Sequence, residues 1–249
     1  MSRRRRDVAA AGRAVHPERR RHRWVTVVHE ARTTGALDVL LLLLLPVPFL
    51  LVAHQLHHWD VGPFGSPRWI VNGDRTVIEV FGYLQLGAAA VLLLITGVRR
   101  RQGPVFAAWA ATLALIVLDD SLGLHEKGGA WLNHRDLVPE LFGLPGQELG
   151  ELVSWGLLGL PALFVLVATH RVSSPHARQG SWWLAGLTGV LMAFAVGVDL
   201  VHEVIEELTD SGVVDLLVTF VEAGGEVGSM SLLLAGAVHL LRRSEVAAR

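Results

Sequence analysis

Residues 105–126 read VFAAWAATLALIVLDDSLGLHE. From Val105 to Leu118 the run is apolar apart from one threonine, and it then delivers Asp119, Asp120, His125 and Glu126 where lipid is expected. Asp119 and Glu126 lie seven positions apart, about two helical turns, so a continuous helix puts them on one face with Gly123 between them. A second stretch repeats the event. After the apolar run Leu184–Val198, Asp199, His202, Glu203 and Glu206 stand at i, i+3, i+4 and i+7. Charged groups inside spanning helices are costly, and by default they mark a functional site.

Working outward, the rest of the chain has the same character. It is 51% hydrophobic with a mean hydropathy of +0.44, too apolar for a soluble domain of 249 residues. A span needs about 20 mostly apolar residues. Six stretches qualify, at roughly 36–54, 77–98, 104–124, 149–169, 182–204 and 220–241. Leu40–Leu45 and Ala88–Ile95 are apolar on every side, which a helix in a soluble core is not. The expected fold is therefore all-α, a polytopic membrane bundle of six transmembrane helices. No cysteine is present, so disulfides, thiolate ligands and thiol nucleophiles are excluded. The single lysine, Lys127, lies outside the middle of any span and argues against a retinal-type Schiff base.

Near-neutral net charge hides a strong asymmetry. With the spans alternating in direction, residues 1–38, 99–103, 170–181 and the tail from Arg242 share one side. They hold eighteen of the twenty-two Arg and Lys but five of the twenty-three acids. That bias places both termini in the cytoplasm of a cell-membrane protein. The chain divides into a basic arm, 1–35, which touches anionic lipid rather than nucleic acid, a six-helix domain, 36–243, and a short tail, 244–249. Pro46 and Pro48 are expected to kink the first span. The loop 59–75 has turn chemistry without strand alternation. The segment 127–147 is long enough for a short surface helix anchored by Trp131. Glu79 to Arg99 and Glu151 to Arg171 are both twenty positions, a spacing compatible with three helical hairpins built from one unit. Small-residue pairs such as Gly146/Gly150 and Gly224/Gly228 suit close helix packing, within one chain or in an oligomer.

Depth narrows the chemistry. Counting from the basic ends at about 1.5 Å per residue, Asp119, Asp199 and Glu226 lie about 22–25 Å into a hydrocarbon core of about 30 Å. Glu79, Glu151, Glu222, His125 and His202 fall near its far boundary. Five helices thus bring acids or imidazoles into one slab beneath the extracytoplasmic face, where Arg75 is the nearest cation in sequence. Either several acids carry protons or cations hold them together. The expected ligands of a divalent metal are Asp119, Asp120, His125, Glu151, Asp199, His202, Glu222 and Glu226, with zinc or iron the best match to an imidazole and carboxylate set. Asp199-x-x-His202 has the i, i+3 spacing that lets one helix give a metal two ligands. Glu203 or Glu126 is the expected general base on a metal-bound water.

The leading expectation is a metal-dependent membrane enzyme, a hydrolase of a lipid or another lipid-soluble substrate. A cation transporter or channel is the first alternative. Against it, the cytoplasmic two-thirds of every span is apolar, whereas coupled transporters bind near the midplane. A bis-histidine haem electron carrier is the second, using His125 and His202 at one end and His170 and His239 at the other.

Overall fold

The computed structural model describes residues 29–73, 75–99, 103–140, 145–208 and 211–246, and among these every regular element is a helix and none is a strand. Six helical segments are long and apolar enough to cross a membrane: Ala36–His58, Val77–Val98, Pro104–Leu122, Gly146–Val172, Pro175–His202 and Gly212–Glu245. The chain is a multi-pass, all-α membrane protein. The basic arm lies outside the described residues as far as 28, and residues 29–33 are helical.

The first crossing consists of α1 (Ala36–Leu44) and α2 (Pro46–His58), separated at Leu45. Pro46 has no N–H to continue the ladder, which interrupts its hydrogen bonding while Leu45 keeps helical angles. Two short 3-10 turns, Gly62–Phe64 and Pro67–Trp69, form the loop that follows. Helix α3 (Val77–Arg99) opens on a capping arrangement in which Thr76 N donates to Glu79 Oε2 at 3.2 Å. Helix α4 (Pro104–Leu122) starts after Gly103, whose φ of 127° seats it against Ser173; a Cβ there would lie 2.6 Å from the serine oxygen.

Helix α4 does not run on through Glu126 as the seven-residue spacing suggested. Gly123 has φ 56° and ψ 48° and ends the helix, and α5 (Leu124–Asn133) begins in a new direction. Asp119 and Glu126 therefore do not share a helical face. Two further crossings follow, α6 (Gly146–Val172) and α7 (Pro175–Met192), the latter capped by Ser174 Oγ, which accepts from Ala177 N at 3.2 Å. A π-helical turn, Ala193–Val198, joins α7 to α8 (Asp199–Leu208), and the long α9 (Gly212–Val246) closes the chain.

The core lies between α3, α4, α7 and α9, where Leu86, Leu93, Phe106, Leu113, Leu184 and Leu233 are buried. Lipid tails are as apolar as leucine, so close packing and internal polar clasps hold such helices together. Trp109 Nε1 donates to Ser181 Oγ at 2.9 Å, and Ser231 Oγ donates to Gln85 Oε1 at 2.6 Å. Helix α6 stands aside. It buries Gly146, Gly150 and Ser154, holds α5 through backbone contact between Gly150 and Gly129, and leaves Leu157, Leu160 and Phe164 exposed. Thr34 joins the two ends of the described chain. Its hydroxyl meets His239 Nδ1 at 3.0 Å and its carbonyl accepts from Arg242 Nη1 at 2.7 Å, while Glu30 pairs with Arg243 at 3.5 Å. The α6–α7 turn lies at this same end, through Val105 N donating to Ser173 Oγ at 3.4 Å.

Candidate functional site

At the opposite end, the break at Gly123 turns a buried acid into the support of an imidazole. Asp119 is 2% exposed. Its Oδ1 accepts from the backbone N of His125 at 3.0 Å, and its Oδ2 meets the Nδ1 of the same residue at 3.1 Å. Gly123 has no side chain to cap α5, and Asp119 caps it from one turn back. Oδ2 can accept from Nδ1, and in that tautomer Nε2 presents a lone pair. The ring of Trp155, from α6, lies 5.4 Å from the imidazole. Glu126 is exposed on the first turn of α5.

The second aspartate–histidine stretch is organised differently. His202 is buried, with Nδ1 2.8 Å from Glu222 Oε2 and Nε2 3.0 Å from Asp215 Oδ1, both carboxylates coming from α9. Both ring nitrogens are engaged, so His202 ties α8 to α9. Asp199, one turn earlier, is exposed. The side chains of Glu203 and Glu206 lie outside the described residues.

Between these two histidines the acids gather. The Tyr83 hydroxyl donates to Glu79 Oε1, and Asp120 is within its hydrogen-bonding reach. Glu226, half-buried on α9, feels the charges of Glu222, Asp120, Asp199 and Glu79. Acids of α3, α4, α8 and α9 thus face one basin, four helices where five were expected. Glu151 is not drawn into it. It accepts from Gln147 Nε2 at 3.1 Å and packs over Gly129 between α5 and α6. Among the described residues, no three His, Asp or Glu side chains are grouped as a metal ion requires.

Four further histidines are held in place by other groups. His54 Nδ1 accepts from Val71 N at 3.2 Å, and His57 Nδ1 donates to Phe64 O at 2.9 Å, so both fasten the 59–75 loop to α2. His170 meets Ser181 at 3.1 Å and His239 meets Thr34 at 3.0 Å.

The residues that carry this architecture, 36–240, match the family described as Domain of unknown function (DUF8692). The chain belongs to that family. No curated protein and no solved structure matches it. The DUF8692 region contains every group of the basin, from Glu79 to Glu226, and most of the six crossings.

Three parts of the DUF8692 site escape a reading of the sequence. Tyr83 is the only tyrosine of the chain, and its i+4 spacing from Glu79 was the available signal. Asp215 sits in the first turn of α9, where an acid passes for an ordinary partner of the helix dipole. The π-helical turn directly before Asp199 has no recognisable sequence signature. It rotates α8 out of the register of α7, and turns of this kind are frequent at functional sites. Its Phe194 fills the space beside Gly225, where a Cβ would collide with the ring.

Proposed function

We propose that the chain is a membrane-embedded hydrolase of an ester or amide bond in a lipid-soluble substrate, with His125 as the base that activates water. The observation that carries this reading is the Asp119–His125 pair, in which a buried carboxylate holds Nδ1 and no partner engages Nε2 among the described residues. Nε2 takes a proton from water as the oxygen bonds to the acyl carbon. The C–O or C–N bond then breaks, and the imidazolium returns the proton to the leaving atom. Asp119 keeps the ring oriented and stabilises its charge. The Lys and Arg asymmetry supports cytoplasmic termini and a site toward the extracytoplasmic side of the cell membrane. The buried leucines between the basin and the opposite end favour a site open at one end over a pathway for cations.

A metal-dependent form of the reaction has one observation in its favour. Four carboxylate charges bear on Glu226, and a zinc or iron ion drawn to them would relieve their repulsion and act as Lewis acid on the same water. His202 would then support Glu222 rather than coordinate.

Purified protein in neutral detergent, offered lipid esters and amides, tests both forms. Turnover that falls about 10²–10⁴-fold in His125→Ala supports the imidazole base. Turnover unchanged in that variant, or absent from every lipid ester and amide, overturns the proposal. Elemental analysis of the same samples decides between the two forms: stoichiometric metal lost in Glu226→Gln selects the metal-dependent one.

A further inference from the structure

The α6–α7 turn, at the end of the bundle opposite the acid basin, carries a groove of about 660 Å³. That is a size common to small-ligand sites. Trp182, Trp183, Leu187 and Val190 line its apolar part, and His170 and Arg178 line its polar rim. We propose that this groove is a binding site for an anionic phospholipid of the adjoining leaflet. The phosphate would sit on Arg178 and His170, and an acyl chain would lie along the tryptophans and Leu187.

Charge and donor geometry argue for this occupant. From Leu152 to Val198 the sequence contains no Asp or Glu, while Arg171, His176 and Arg178 crowd the turn. Arg178 is exposed, and its guanidinium has no carboxylate partner among the described residues. His170 is positioned by a chain of hydrogen bonds. Trp109 Nε1, which can only donate, occupies Ser181 Oγ at 2.9 Å, and the serine hydroxyl can donate in turn to His170 Nδ1 at 3.1 Å. That arrangement leaves Nε2 carrying a hydrogen, a donor suited to a phosphate oxygen. The Trp182 ring stands edge-on to the imidazole at 5.3 Å and continues the rim into the apolar groove. Tryptophan beside arginine at a span end is the pairing that membrane interfaces favour, and each basic side chain near an anionic surface adds about fivefold to binding. A zwitterionic lipid offers the same chains without the net charge.

The test uses the full chain, delipidated in neutral detergent and titrated with phosphatidylglycerol or phosphatidylcholine of identical acyl chains, with bound lipid counted by native mass spectrometry. Saturable binding of one phosphatidylglycerol, at least about fivefold tighter than phosphatidylcholine, is expected. Arg178→Gln should abolish the preference, and Arg171→Gln, at a neighbouring arginine outside the groove, should keep it. Equal binding of the two lipids by the wild type overturns the proposal without recourse to any variant. So does a preference that survives Arg178→Gln, or displacement of the lipid by millimolar inorganic phosphate, which would mark the rim as a site for free anion.

Discussion

Two crossings of this protein end in an aspartate and a histidine, and the two ends are built in opposite ways. At the end of α4 the helix stops on a left-handed glycine, and His125 folds back onto the buried Asp119. At the end of α7 the helix widens into a π turn and continues, and His202 is clasped by two carboxylates of α9. The first imidazole is held at one ring nitrogen by a single carboxylate. The second has a carboxylate of α9 at each ring nitrogen and ties α8 to α9. Similar residues at similar depth thus acquire different work from the backbone that presents them.

The sharpest way to break this comparison is Asp119→Asn. An amide can donate to Nδ1 and reverse the tautomer of His125, so hydrolysis of a lipid ester should fall by about 10²–10⁴-fold with the helical content by circular dichroism unchanged. Should His202→Ala produce the same loss with no change in stability, the assignment of roles is reversed. What His202→Ala is expected to do is leave Glu222 facing a gap, lowering stability by about 3 kcal/mol and depressing the melting temperature in detergent. Gly123→Val tests the backbone that separates the two cases. A β-branched residue at φ 56° is strained by about 1–3 kcal/mol, and its Cβ would lie 2.9 Å from the Glu126 carboxylate. Melting temperature and activity should fall together in that variant. The smallest effect expected is that of Tyr83→Phe, which removes a donor from Glu79 and Asp120 and should cost about 1 kcal/mol in a denaturation series.

Much of the fold was legible beforehand. The all-α architecture and its six crossings follow from hydropathy, whereas the helix Leu124–Asn133 starts earlier than the surface helix expected within 127–147. The site was legible in depth but not in azimuth. The charges of Asp120 and Glu222 reach Glu226, whereas Glu151 packs into the α5–α6 contact, where glycines draw those helices together. Glu126 was expected to share a face with Asp119, and a single left-handed residue placed it elsewhere. Asp215 looks like any acid in a first helical turn, and Tyr83 is marked only by its spacing from Glu79.

The sequence by itself determined how many times the chain crosses and how far along each crossing its polar groups fall. Both are one-dimensional quantities, set by the transfer of successive side chains between water and hydrocarbon. Only the tertiary structure decided which way each helix turns its acids and which nitrogen of each histidine is occupied. Rotation about a helix axis depends on contacts between residues far apart in the chain, such as Phe194 on Gly225 and His202 on Glu222, and no local pattern encodes them.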